Sequence, residues 1–185
     1  MARIRLKYNS IQEISGGQGM SVIILTDEAQ QRALTVVCDA AMTEQFRIRM
    51  LPSMLCAKFL PEVLMDIIRS YGEDDCELCI YGIDDGQYKV TLMNRRTLAI
   101  RPIRMSDAVL LSTIADIPIY IDELLMNRQC SVYTKDGDML AIPINTISTE
   151  KLNEELQKAI EAEDYRLASH LHNELKSREK KNEGN

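Results

Sequence analysis

Apart from two histidines near its C-terminal end, His170 and His172, this 185-residue chain carries no imidazole. A Ser-His-Asp or Cys-His arrangement within the body is therefore excluded. Acid–base or metal chemistry there must use carboxylates, and the candidates are Glu44, Glu62, Asp66, Asp84, Asp85, Asp107 and Asp116. Asp107 stands out. It follows Ser106 directly, comes three residues after Arg104 and is within reach of Arg101. A carboxylate at a helix start beside a guanidinium can be a cap with an ion pair. It can also be a hard-cation ligand or orient a substrate phosphate that arginine clamps. Arg95-Arg96 can join Arg101 and Arg104 as a local basic patch for substrate, or be simple turn charges. Asp84 and Asp85 read as turn residues, and Glu44 and Asp66 as solvated helix faces. His170 and His172, at i and i+2, do not share a helix face.

Cys76 and Cys79 have zinc-like spacing, but Cys38, Cys56 and Cys130 supply no second pair, and a tetrahedral site needs four ligands. On a strand these two thiols face opposite sides. They read as buried small hydrophobes. The N-terminal run from Met1 to Lys7 alternates charged and apolar residues without a signal-peptide core. With an odd number of cysteines, five, this predicts reduced thiols and a cytoplasmic protein.

These side chains need elements to hold them. Residues 3–8 alternate as a half-buried strand does. Residues 15–19, Ser-Gly-Gly-Gln-Gly, read as a turn. Met20–Leu25 and Leu34–Val37 form a hairpin around a polar loop. Asp39 can N-cap a helix running through Phe46 and Ile48. Pro61 opens a second helix with Leu64, Ile67, Ile68 and Tyr71 at helical spacing, closed by Gly72. Asp85-Gly86 turns a hairpin between Cys76–Tyr81 and Tyr88–Leu92, and Leu98–Arg101 continues it. Ser106 and Asp107 suit the capping of an apolar helix, Ala108–Ala115, which Pro118 stops. Ile119–Ile121 is a short buried strand. Val132–Tyr133 and Leu140–Ile144 form a last hairpin around Asp136-Gly137. The class is α+β, with a mixed, mostly antiparallel sheet and separate helices.

From Thr149 to Lys181 there is no Gly or Pro. Leu152, Leu156, Ala159 and Ile160 make one apolar stripe, and Tyr165, Ala168, Leu171 and Leu175 another. This predicts a C-terminal helical hairpin, with a boundary between 147 and 148. Two helices this short bury little area alone. Leu156, Ile160, Tyr165, Leu171 and Leu175 are therefore candidates for packing on the body, on a second copy or on another protein.

The chain is 45% hydrophobic and 27% charged, enough for a core. A net charge of −6 excludes a broad, non-specific grip on phosphate backbones but leaves room for a local basic patch. With 5% aromatics and no Trp, a stacking platform for single strands is not expected. No apolar run approaches the roughly 20 residues of a membrane span.

Residues 104–111, Arg-Met-Ser-Asp-Ala-Val-Leu-Leu, followed by Pro118-Ile119-Tyr120-Ile121, resemble the signature of the bifunctional nuclease family: Arg-Pro-Ser-Asp-Ala, an apolar helix, then Pro-Ile and a strand. The run Ile80–Tyr88 resembles that family's hairpin, and Leu34–Cys38 falls where it has Leu-Pro-Ile-x-Ile-Gly. The likeness spans roughly residues 3–126. Arg104, Ser106 and Asp107 match; Met105 replaces a proline. Asp39-Ala40-Ala41-Met42 stands where the family has Glu-Ala, with Glu44 two residues on. Phe59-Leu60-Pro61-Glu62 replaces a Thr-His-Asp-Leu helix start, leaving Glu62 as the nearby acid. The tail resembles the UVR motif of the bacterial excision-nuclease subunits B and C, a helical hairpin used for protein contact, through Leu156, Ala159-Ile160, Glu163-Asp164-Tyr165, Ala168, Leu171 and Asn173–Lys176.

The first resemblance implies hydrolysis of DNA and RNA phosphodiesters, metal-assisted, with no organic cofactor. Asp107, with Glu44 or Glu62, would hold Mg²⁺ or Mn²⁺. Arg104 would contact phosphate, with Ser106 beside it, and Arg101, Arg95 and Arg96 would bind substrate. The alternative is a member with weak or no catalysis that works as a scaffold, its hairpin recruiting a protein partner or forming a homodimer.

Overall fold

The computed structural model describes residues 2–14, 20–50, 53–72, 74–133 and 143–182. The chain divides into two compact units. One is Met1–Gly82 with Tyr88–Ala141; the other is Ile83–Gln87 with Ile142–Asn185. The second unit thus begins a few residues before the sequence boundary of 147/148 and takes in the turn of a hairpin as well.

Among the described residues, the first unit is built on an eight-stranded sheet. Its strands are β1 (Arg3–Glu13), β2 (Ser21–Asp27), β3 (Arg32–Cys38), β4 (Cys76–Asp84), β5 (Gln87–Asn94), β6 (Ile100–Ile103), β7 (Ile119–Asp122) and β8 (Ser131–Val132). Their order is β6-β5-β4-β7-β1-β2-β3-β8. β4 and β7 pair in parallel, whereas β7–β1, β1–β2, β2–β3, β3–β8 and β5–β6 are antiparallel. This is the expected α+β arrangement. Leu6 pairs with Ile119, and Ile119 with Leu78, so the three share one face. Tyr8, two residues beyond Leu6, stacks on Phe46 of helix α1 (Ala40–Arg49) with ring centroids 5.4 Å apart. That face is therefore the α1-covered one, and Leu6, Leu78, Ile80, Val90, Ile119 and Ile121 are all buried on the sheet. Full burial of each such side chain stabilises by roughly 1.5–3 kcal/mol. Arg3, Arg5, Tyr120, Glu77 and Cys79 alternate onto the other face.

Asp39 ends β3 and caps α1 (Ala40–Arg49), its Oδ1 accepting the Met42 N–H at 2.7 Å. A 3₁₀ turn over Ser53–Lys58 leads to α2 (Leu60–Ser70), which carries Pro61 in its first turn. Gly72, at φ 65°, follows its end. The helical period is real, but the stripe is not core. Met65 is the buried residue of α2, while Leu64, Ile67 and Tyr71 are exposed. Helix α3 runs Met105–Ala115 and corrects the capping expectation. The N-cap is Arg104 and no side chain caps the helix; Ser106 and Asp107 lie inside its first turn. Asp116, at φ 55°, ends it. Helix α4 (Glu123–Gln129) follows β7, capped by Asp122. The glycine-rich turn at 15–19 and the tip of the last predicted hairpin, 134–142, lie outside the described residues. Ile144, expected on that hairpin's second strand, instead opens a 3₁₀ turn, Ile144–Thr146. Among the described residues no helix is long and apolar enough to cross a membrane.

In the second unit Ser148 caps α5 (Thr149–Glu161), and α6 (Tyr165–Asn182) returns along it. Glu163, at φ 56°, makes the reversal. Leu152, Ala159, Ala168 and Leu171 form a buried cluster flanked by Ile144, Ile147, Leu156 and Leu175. The hairpin thus closes a core of its own. Asp85 is more than a turn residue. Its Oδ1 accepts from the Thr149 N–H at 3.3 Å and from Arg178 NH1 at 3.3 Å. The Thr149 hydroxyl bond is the main cause holding its carboxyl below the usual range. Gly86 has to be glycine: it sits at φ 77°, and a Cβ there would lie 2.5 Å from the Ile147 carbonyl oxygen.

Candidate functional site

The end of β3 and the start of α3 bring two carboxylates to one guanidinium. Arg104 Nε donates to Asp107 Oδ2 at 3.0 Å and NH2 to Asp107 Oδ1 at 3.2 Å. Arg104 NH1 stands 3.5 Å from Asp39 Oδ2. All three side chains are open to solvent, with exposures of 57% for Arg104, 42% for Asp107 and 57% for Asp39. Local sequence explains the placement. Asp39 is fixed by its capping bond to Met42, and Arg104 and Asp107 lie three apart across the uncapped first turn of α3. The helix dipole favours a carboxylate there. The hydrogen bond to Asp107 raises the Arg104 pKa further, so the guanidinium stays charged. Just behind, the buried Cys38 thiol is pushed up by desolvation and sits 3.7 Å from the Thr43 hydroxyl, so it is a protonated neighbour and not a nucleophile.

The other sequence candidates go elsewhere. Glu62 is locked in a fork with Arg49, at 2.7 Å and 2.9 Å, and the two side chains are only 15% and 12% exposed. Arg49 NH1 also bonds the Gln45 carbonyl and side chain, and the guanidinium covers Phe59 at 5.6 Å. Glu44 is exposed on α1, 3.8 Å from Arg47. The acid that shares a partner with Asp107 is therefore Asp39, not Glu44 or Glu62. Among the described residues no group of three or more His, Cys, Asp or Glu side chains is placed to hold a metal ion. Ser106 is buried. The four arginines are divided. Arg101 pairs with Leu92 on the face of Val90, its NH1 bonding the Ile100 carbonyl, whereas Arg95 stands 3.4 Å from Asp75 beside a different cavity. Arg96 is exposed in the turn after β5. In the hairpin, Leu171 lies inside the buried cluster with Leu156 and Leu175 against it, while Ile160 and Tyr165 are exposed.

Asp39 is the residue sequence reasoning missed, because a capping role already accounted for it. The signal was the family position: Asp39-Ala40 stands at the place of Glu-Ala.

Arg104 is the exposed donor of this cluster, and its planar fork is the kind that pairs with carboxylate or with phosphate. The bifunctional nuclease domain matches residues 23–134, more than half of the chain, and the chain belongs to that family. No curated protein matches it.

Proposed function

We propose that the first unit hydrolyses phosphodiesters of DNA or RNA at Asp39, Arg104 and Asp107. The observation that carries this is the sharing of one exposed guanidinium by two exposed carboxylates, in a chain of a nuclease family. A phosphate arriving at Arg104 takes over the donors that Asp107 and Asp39 hold, since guanidinium binds phosphate and carboxylate through the same planar fork. The first-turn N–H groups of α3, which carry no side-chain cap, add donors on that side. With no imidazole in the body, a carboxylate released from Arg104 accepts the proton of the attacking water. Asp107, free of any backbone capping bond, is that base, and Asp39, pinned through Oδ1, stays in place. The donor set also fits a hard cation that keeps most of its waters, because Mg²⁺ needs only one or two carboxylates besides phosphate oxygens. Asp39 and one oxygen of Asp107 would hold it, leaving the other Asp107 oxygen for the proton, and bound Mg²⁺ or Mn²⁺ would supply charge neutralisation and an activated water.

The test uses single-stranded and duplex DNA and RNA with Mg²⁺, with Mn²⁺ and with EDTA. Wild-type cleavage should fall at least about 100-fold in Asp107→Ala. Cleavage equal in wild type, in Asp107→Ala and in EDTA overturns the reading.

A second reading concerns the second unit. Its helices enclose their own seam yet leave Ile160, Tyr165 and Leu167 exposed. We propose that this UVR-like hairpin uses those residues for protein contact, in the first instance with a second copy of the chain. Light scattering of the full chain should give a dimer that Ile160→Glu converts to monomer. A wild-type monomer ends the self-association reading.

A further inference from the structure

On the sheet face turned away from α1, Arg3, Glu77, Met93, Arg95, Leu98 and Tyr120 line a cavity of about 320 Å³. Its residues are separate from the Asp39–Arg104–Asp107 cluster. Glu77 forms part of the lining and is 4% exposed. Arg3 NH1 donates to it at 2.6 Å and the Cys79 thiol at 3.5 Å, and both bonds fall on Oε1. Oε2 is left without either donor. Arg3 also lies over the Tyr120 ring, 4.8 Å from its centroid, so its guanidinium is held from two sides. Burial alone would raise the Glu77 pKa, but the bonds from Arg3 and Cys79 and the charges of Arg3 and Arg95 outweigh it and hold it below the usual range. The carboxylate is therefore ionised at neutral pH.

The rim has a different character. Arg95 is 56% exposed and only 3.4 Å from the equally exposed Asp75, a pair that an incoming anion can displace. Leu98 stands 70% exposed at φ 58°, a conformation that bulky side chains avoid. The turn holds it there: Leu98 N–H bonds the Asn94 carbonyl at 2.9 Å, and the Asn94 side chain takes the Arg96 and Thr97 N–H groups. Strain of this kind persists where surrounding structure over-determines it, and it concentrates at ligand clamps.

We propose that this cavity binds a nucleoside monophosphate, with the phosphate on Arg95, the base between Met93 and Leu98, and a base N–H donated to Glu77 Oε2. Arg3 is committed to Glu77, but the exposed Arg95–Asp75 pair opens at little cost, so Arg95 is the guanidinium available to an anion. A bare phosphate would use Arg95 but be repelled by the buried carboxylate, and would leave the apolar walls wet. A ligand with an anionic end, a flat apolar middle and an N–H donor satisfies all three. The volume is at the lower end for small-molecule sites and fits one nucleotide, not a strand. Guanine presents two donors, N1–H and N2–H, that the single oxygen Oε2 can accept, whereas cytosine sets its N3 lone pair beside its N4 donor and is repelled.

The experiment is calorimetric titration of the full chain with GMP, guanosine, CMP and inorganic phosphate. GMP should bind saturably. Guanosine and inorganic phosphate should each bind at least about tenfold more weakly, equivalent to about 1.4 kcal/mol. Arg95→Ala should weaken GMP by about tenfold, and Glu77→Gln should reduce the preference for GMP over CMP. Should Glu77→Gln fail to fold, Leu98→Trp at the exposed rim should block GMP in a folded protein. Leu98→Trp should leave cleavage of DNA and RNA unchanged while it blocks GMP, which separates this pocket from the hydrolytic reading. Absence of saturable GMP binding, phosphate as tight as GMP, or Arg95→Ala equal to wild type overturns the proposal.

Discussion

Two arginine–carboxylate forks in the first unit use the same chemistry to opposite ends. Arg49 and Glu62 are 12% and 15% exposed, and NH1 of Arg49 goes to Gln45. Arg104 and Asp107 are 57% and 42% exposed, and Arg104 reaches for a second acid, Asp39. In the first, the two charges are matched and largely shielded from water, so a ligand that replaces either partner leaves a poorly solvated ion behind. In the second, water already competes with the pair, so a phosphate can replace a carboxylate at little cost. Burial, and not residue type or spacing, separates a structural fork from an exchangeable one.

The largest effect that would break this contrast is on rate. Asp107→Asn and Arg104→Met should each lower nuclease activity by about 100- to 1000-fold, about 3–4 kcal/mol of barrier, in protein that melts normally. A loss of that size in Glu62→Gln, with folding intact, would reverse the two roles. Next comes stability. Glu62→Ala leaves the Arg49 guanidinium without its carboxylate and should destabilise by about 2–3 kcal/mol in denaturant titration. The same measurement on Asp107→Ala should show less than about 1 kcal/mol; equal losses would erase the distinction. Asp39→Ala falls between them, losing the cap of α1 at about 1 kcal/mol and one partner of Arg104.

Acid sharpens the comparison on the buried side. Glu77 and Asp27 are both desolvated, which alone would raise them. Hydrogen bonds and charge from Arg3 and Cys79, and from Arg32 with backbone N–H groups, lower both on balance. A depressed folded pKa adds stability that is fully present above the unfolded value and is lost as pH falls through the folded one. Stability from these pairs should therefore hold from neutrality to about pH 4 and decline below it, and Glu77→Gln should flatten that decline. A loss on raising the pH would contradict the assignment. The smallest effect is that of salt: near 1 M, where charges are screened beyond about 3 Å, nuclease KM should rise while the Glu62→Ala stability loss stays the same.

Much of the architecture was readable from local rules. Asp39 before an apolar helix, Pro61 in a first turn, Asp85-Gly86 between β runs and the Gly- and Pro-free tail all form the elements they signal. These are short-range features, fixed by backbone sterics and neighbouring hydrogen bonds. The start of α3 was off by a few residues because Ser106 and Asp107 are good caps in general, whereas here Ser106 is drawn into the core. The stripe of α2 had the right period, yet period says which residues share a face and not whether anything covers it.

By itself the sequence determined that the body must do any acid–base chemistry without histidine, that Arg104 and Asp107 are neighbours, and that the tail is helical. Only the tertiary structure decided that Asp39 joins them while Glu62 is taken by Arg49, and that Arg95 lines a cavity with Glu77 and Arg3. Those outcomes depend on strands far apart in the chain meeting in register, with β7 between β1 and β4. Spacing along a chain carries no information about which distant charge burial will pair and which it will leave in water.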